Sequence, residues 1–299
     1  MSLYARLAWD GIRKNKRLYL PYILTCVGAV TMYYMMCELR DSPLLERMKG
    51  VCRVKLYVTD DADGRRQLEQ WLEGVKTPYR AASLGENDWA HSWQKYYRPL
   101  AIGKKLYIVP EWERDTAEIP AGCTTLLMNP GLTFGTGSHA STQLCLEGVE
   151  EYVIPGRPVL DLGCGSGILA IAALRLGASH ATGVDIDPKA EDIARQNAAI
   201  NGLGAGRFTA VTGDVIADKA MMERLGTGYD VVLANIVADV IIPLAPVVPN
   251  FLKPDSVFIC SGILDTRLEE VQAAIEHAGM QILVAHQQDD WCQISAALA

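Results

Sequence analysis

Four separated stretches hold side chains suited to capturing a small charged ligand. In Asp161-Leu162-Gly163-Cys164-Gly165-Ser166-Gly167, three glycines let the backbone turn sharply and approach a ligand closely. The apolar run from Ile168 that follows reads as a helix, whose free N-terminal N–H groups favour a carboxylate or phosphate. Asp185 lies 22 residues beyond Gly163, near the ~20-residue spacing of an acid that binds a ribose. Asp214 follows a third apolar run, where an Asp also serves as the cap of a following helix. Asn235 ends a fourth run, Tyr229 to Ala234. A polar residue at the carboxyl end of a parallel strand points into a ligand crevice.

These residues need a scaffold that gathers them. From residue 129, strand candidates alternate with helical stretches. The strands are Pro158–Leu162, His180–Val184, Phe208–Thr212, Tyr229–Ala234 and Val257–Cys260. The helices are Ile168–Leu176, Pro188–Ile200, 216–225, 238–252 and Thr266–Ala278, and Gln281–Ala285 with Cys292–Ala297 make a closing hairpin. Such alternation predicts an α/β fold, a mostly parallel sheet with helices on both faces.

Two ligand classes fit the glycine loop. A dinucleotide site uses GxGxxG, with a pyrophosphate at the helix N-terminus. Here the spacing is Gly163-x-Gly165-x-Gly167, and Asp161 just ahead would repel a pyrophosphate but suits the ammonium of a methionine moiety. DLGCGSG, with Asp185-Ile-Asp-Pro188 after the second strand, resembles the class I methyltransferases. That resemblance implies S-adenosylmethionine as cofactor, a Rossmann-like sheet of seven strands with the last antiparallel, and an adenine contact at Asp214.

Methyl transfer from a sulfonium is an in-line displacement onto a free lone pair. A lysine amine, with a reference pKa of ~10.4, must first lose a proton. Asn235 can accept an N–H from that amine and orient it, which is positioning catalysis. A carboxamide is no strong base, so the proton goes to water.

Upstream, Asn129-Pro-Gly-Leu-Thr-Phe-Gly-Thr-Gly-Ser-His-Ala-Ser-Thr142 resembles the signature of the ribosomal protein L11 methyltransferases, the PrmA family. DWAHSWQKYYRP from Asp88 to Pro99, KKLYIVPEWE after it, SGIL at Ser261–Leu264 and the C-terminal strands are similar to the same family. The resemblance covers residues 85–299 and, more loosely, 51–84. It implies transfer to lysine and N-terminal amines of ribosomal protein L11. It also implies cofactor contacts at Thr142, Gly163, Asp185 and Asn235, with Asp161, Gly165 and Gly167 completing the loop. Phe134 and His139 belong to the glycine-rich stretch Gly131–Gly137 and its flank, which would close over the cofactor as a lid. His139 joins Asn235 as a catalytic candidate there.

The expected organisation has four parts. Residues 129–299 form the methyltransferase domain, and 85–128 a linker with the aromatic cluster Trp89, Trp93, Tyr96 and Tyr97. Residues 51–84 form a shortened substrate-docking α/β domain, with a strand at Val51–Val58 and a helix over Gly64–Gly74. Residues 1–50 are basic and then apolar. Leu18 to Cys37 is a run of 20 residues without charge, about the ~20 that span a bilayer, preceded by Arg6, Arg13, Lys14, Lys16 and Arg17. This stretch resembles the start of an ABC transporter permease. A spanning helix with its basic end inside would put the catalytic domain outside, away from its cofactor. Residues 1–50 are therefore expected to lie on a membrane, to pack unconventionally, or to derive from a gene fusion or a sequence-assembly error.

The net charge is −7. An acidic chain gains nothing from counterion release at phosphates, so no direct nucleic-acid partner is expected, and a basic protein acceptor suits the sign. Eight cysteines are scattered without a CxxC pair. That pattern argues against zinc and against a disulfide framework, and suits reduced thiols in the cytoplasm. Two rival readings are an acceptor that is RNA or a small molecule, and a cofactor-binding scaffold without activity. NIVADVIIPLAP, beginning at Asn235, is apolar and acidic and does not favour RNA.

Overall fold

The computed structural model describes Arg66, residues 97–129 and residues 135–299. The chain divides into two compact units, Met1–Ala90 and His91–Ala299, and the second carries the elements below. The apolar run 18–37, the strand expected over Val51–Val58, Trp89, Trp93, Tyr96 and Phe134 lie outside the described residues, as does the helix expected over Gly64–Gly74 apart from Arg66, which is helical. Among the described residues, no helix is long and apolar enough to cross a membrane.

The elements in chain order are β1 (Leu100–Ile102), β2 (Leu106–Pro110), β3 (Thr124–Met128), α1 (Ala140–Tyr152), β4 (Val159–Leu162), α2 (Ile168–Arg175), β5 (Ala181–Asp185) and α3 (Pro188–Ile200). Then come β6 (Phe208–Thr212), α4 (Lys219–Leu225), β7 (Tyr229–Asn235), α5 (Ala238–Leu244), β8 (Leu252–Leu264), α6 (Leu268–His277), β9 (Met280–Gln288) and β10 (Trp291–Leu298). Seven strands form one sheet in the order β6-β5-β4-β7-β8-β10-β9. Strands β6, β5, β4, β7 and β8 pair in parallel, and β10 runs antiparallel to both neighbours. The strand order therefore reverses between β4 and β7, which opens a crevice at their carboxyl ends.

The central strands are covered on both faces, and β7 is buried from Tyr229 through Ala234. That burial explains its unbroken apolar sequence, where a one-sided strand would alternate. Alternate residues feed two cores. Val159, Val231, Leu233 and Ile259 pack with α1 and α2 residues such as Cys145, Leu146 and Ile171. Leu160, Leu162, Val232 and Phe258 pack on the other face with Ile241, Val271 and Ile275.

The linker expected over 85–128 is packed structure across its described part. β1 and β2 pair antiparallel and β2 and β3 parallel, forming a second, three-stranded sheet. Leu106, Ile108, Leu126 and Met128 enter the same core as α1 and α2. Glu150 of α1 fastens this sheet. Its carboxylate accepts from the backbone N–H groups of Lys104, Lys105 and Leu106 at 2.9, 2.7 and 2.8 Å.

Other boundaries moved for local reasons. The helix expected over 238–252 ends at Leu244, because Pro243, Pro246 and Pro249 recur too often for its backbone bonding to continue. β8 runs far past the expected Val257–Cys260, since β7 and β10 pair along it on either side.

Candidate active site

Gly163 and Asn235 stand on either side of the reversal point, one just past β4 and the other at the end of β7. Ile236 fills the space between the two exits. A Cβ on Gly163 would lie 2.5 Å from Ile236 Cγ2, and one on Gly262 would lie 2.4 Å from the Ile236 carbonyl oxygen. Both glycines also have positive φ, 76° and 86°, where side chains are strained. The SGIL stretch thus has a physical reason for its glycine: it lets β8 pass directly beside the Asn235 exit.

Asp161 is fully buried in β4. Its Oδ2 accepts from the backbone N–H of Ala170 at 3.2 Å, while Oδ1 is buried with no hydrogen-bond partner. Burial pushes this carboxyl up to about 7, and the neighbouring Asp185 adds to the rise. Asn235 repeats the pattern. Its Nδ2 donates to Thr142 Oγ1 at 3.0 Å, and its Oδ1 is buried without a partner. A buried acceptor without a donor is costly unless a ligand supplies one. The Asp161 oxygen beside the glycine loop fits a cofactor that brings an ammonium, and the Asn235 oxygen fits an N–H donor at the reaction centre.

Asp185 ends β5 with both carboxylate oxygens oriented. Oδ2 accepts from Gly165 N at 2.9 Å and Oδ1 from Asp187 N at 3.0 Å. Each oxygen keeps a second lone pair for a ribose hydroxyl. Asp214 is exposed past β6, and its Oδ1 accepts from Ile216 N and Ala217 N at 2.8 and 3.1 Å. It caps the turn ahead of α4; the helix itself is capped by Asp218, through Ala220 N at 2.9 Å.

His139 sits at the N-cap of α1, with Nδ1 accepting from Ser141 N at 3.3 Å. Its ring meets Trp291 edge-on, with centroids 4.6 Å apart. Burial lowers its pKa, which favours the neutral imidazole that a cap requires. Thr142 lies in the first turn of the same helix, fully buried. The structure thus brings Asp161, Gly163, Gly165, Asp185 and Asn235 to one edge of the sheet, with α1 placing Thr142 against Asn235.

Motif reading missed several residues of this edge. Ile186 and Ile216 follow the adjacent strand ends of β5 and β6 and are exposed, as Val237 is beside Asn235. Apolar side chains left exposed at the carboxyl edge suit contact with a base or an acceptor. The visible signal was their place within two residues of Asp185, Asp214 and Asn235.

A Rossmann-like sheet with GxGxG at the reversal point, a ribose-type acid and unpartnered buried acceptors defines the class: a class I S-adenosylmethionine-dependent methyltransferase. The model of the family described as ribosomal protein L11 methyltransferase (PrmA) matches residues 21–298, and the chain belongs to that family. The match begins at residue 21, inside the apolar run and ahead of the loosely similar residues 51–84. A ribosomal protein L11 methyltransferase of Pelotomaculum thermopropionicum is 39% identical over 256 residues, covering 83% of this chain and 80% of that one. One from Caldicellulosiruptor bescii is 42% identical over 229 residues, covering 77% and 71%. The crystal structure of the ribosomal protein L11 methylase of Lactobacillus delbrueckii subsp. bulgaricus superposes with a TM-score of 0.60 at 30% identity. It covers 68% of this chain and 98% of that one.

Proposed function

We propose that this enzyme transfers methyl groups from S-adenosylmethionine to amine nitrogens of ribosomal protein L11, both lysine side chains and the N-terminal amine. The observation that carries the reading is the Asn235 carboxamide, tied through Nδ2 to Thr142 and left with a buried, unpartnered Oδ1. The names of the relatives supply the protein acceptor.

The bound cofactor supplies an electrophilic methyl on a sulfonium. The loop Gly163–Gly167 and the α2 N-terminus would hold its carboxylate, Asp161 would take its ammonium, and Asp185 its ribose hydroxyls. Asp214 and the apolar faces of Ile186 and Ile216 receive the base. Asn235 Oδ1 accepts an N–H of the neutral acceptor amine and aims its lone pair at the methyl group, so the chain contributes by positioning. The Asn235 carboxamide is no base, and the amine proton leaves to water. His139 serves as the cap that sets the start of α1, with acceptor contact along its ring as the second role. Thr142 is a cofactor contact by the family resemblance, and its bond to Asn235 also fixes the carboxamide.

The free buried thiols Cys145, Cys164, Cys260 and Cys292 suit the reducing cytoplasm, where the cofactor and ribosomal proteins are found. The uncharged run 18–37 supports a membrane contact alongside that location.

The test incubates purified enzyme with labelled cofactor and purified ribosomal protein L11, in parallel with ribosomal RNA and free lysine. Label on the protein, mapped by mass spectrometry to lysine and N-terminal nitrogens, is the expected result. Label on RNA alone would overturn the acceptor. Cofactor binding without transfer to any of the three would point to a scaffold.

A further inference from the structure

We propose that Asn197 and Ser166 are positioning residues for cofactor binding, because together they tie the cofactor loop to the chain at Asn129 and Gly135. The inference rests on the cofactor reading above.

Asn197 lies on the inner face of α3, in line with Ala190 and Ala194, and is 1% exposed. A carboxamide buried among alanines is unfavourable unless both its ends are bonded. Both are. Nδ2 donates to the carbonyl oxygen of Ser166 at 2.9 Å, and Oδ1 accepts from the backbone N–H of Asn129 at 2.9 Å. Ser166, equally buried, extends the link: its hydroxyl donates to the Gly135 carbonyl at 2.6 Å. Gly135 comes so near that a Cβ there would lie 2.9 Å from Ser166 Oγ. Ser166 is itself a member of Gly163–Gly167, so the loop that holds the cofactor is bonded on its outer side by two buried side-chain groups.

One turn on, at the C-cap of α3, Asn201 provides the contrast. Its carboxamide accepts from Leu127 N at 2.9 Å and donates to Leu127 O at 2.7 Å, acting as a partner for the open edge of β3. It also donates to the Asn197 carbonyl at 2.8 Å. These hydrogen bonds go to Leu127 and Asn197 and not to the cofactor loop. The two asparagines therefore share one helix, one chemistry and one neighbouring strand, and differ in whether they reach Ser166. If the network only holds α3 in place, both should matter alike. If it shapes the cofactor loop, Asn197 alone should affect cofactor affinity.

The test measures S-adenosylhomocysteine affinity by calorimetry on the full chain, with melting temperature measured alongside. The variants are Asn197→Ala, Ser166→Ala and Asn201→Ala. Asn197→Ala should weaken binding at least about tenfold and Ser166→Ala several-fold, since displacing a binding loop slightly costs much of its fit. Asn201→Ala should lower the melting temperature and leave affinity within about twofold. With S-adenosylmethionine, the KM for cofactor should rise in the first two variants while kcat at saturation stays near wild type. Ser166→Ala removes a single hydroxyl, so it carries the test if Asn197→Ala does not fold. Unchanged affinity in Asn197→Ala and Ser166→Ala, or an equal loss in Asn201→Ala, would overturn the positioning role with cofactor binding intact. Failure of wild type to bind would overturn the cofactor reading and this inference together.

Discussion

Asn235 Nδ2 donates to Thr142 Oγ1 at 3.0 Å, across 93 residues of sequence, which leaves the carboxamide oxygen as its free acceptor. Asn235→Ala should therefore lower the transfer rate by about 10²-fold while S-adenosylhomocysteine affinity changes far less. Thr142→Ser should retain activity, and Thr142→Val should lose part of it. Single-turnover rates beside calorimetric affinities separate these effects. Equal losses in rate and affinity for Asn235→Ala would place the residue on the cofactor, not the acceptor.

The contact between Gly163 and Ile236 leaves no room for a side chain. Gly163→Arg should abolish S-adenosylhomocysteine binding by calorimetry, because even a Cβ would press on Ile236 Cγ2 at a positive φ. Gly163→Ala should bind measurably more weakly than wild type and melt at a lower temperature. Wild-type affinity in Gly163→Arg would show that the cofactor does not use this loop.

Asp161, with its carboxyl raised from 3.8 to about 7, predicts a pH dependence of known sign. In the folded, ligand-free enzyme the carboxyl keeps its proton to a higher pH than in the unfolded chain. Its contribution to stability is thus full below 3.8 and is lost as pH rises through about 7. An ammonium beside it favours the carboxylate, so cofactor binding near pH 7 should release a fraction of a proton, and affinity should fall as pH drops below that value. Calorimetry in buffers of different ionisation enthalpy measures the release. Asp161→Asn should remove it; a release that persists would assign the proton to another group.

Glu150, bonded to three consecutive backbone N–H groups, joins α1 to the small sheet. Glu150→Ala should cost about 2 kcal/mol of stability, the scale of hydrogen bonds to a charged group. Denaturant unfolding measures it. Cofactor affinity at low temperature should hardly move, since the carboxylate lies at the far end of α1 from Thr142.

His139 makes a sharper case through its cap. His139→Ala should lose about 1 kcal/mol, as other N-cap truncations do, and His139→Asn should recover most of it. If the imidazole touches the acceptor, His139→Asn will fold like wild type yet keep a reduced kcat. The comparison of melting temperature with kcat decides between the two roles.

Much of this protein can be read from its sequence because the relevant forces are local. Glycines at fixed offsets after an apolar run mark a strand–turn–helix unit, and helix Pro188–Ile200 and strand Phe208–Thr212 fall where periodicity puts them. The acids and the asparagine follow strand ends, so the cofactor class can be read from the chain alone. What was hidden depends on distant partners. β1 and β3 are short and become strands only through pairing with β2 and burial against α1 and α2. Burial raises Asp161 and strands Asn235 Oδ1, and neither effect exists in an extended chain. The sequence by itself determined the sheet, the glycine loop and the polar residues that stand at the strand ends. Tertiary structure alone decided that Thr142 orients Asn235, that Ile236 sits between two glycines, and that Asn197 reaches the cofactor loop. Such contacts arise when separate elements pack, and no local pattern in the chain records them.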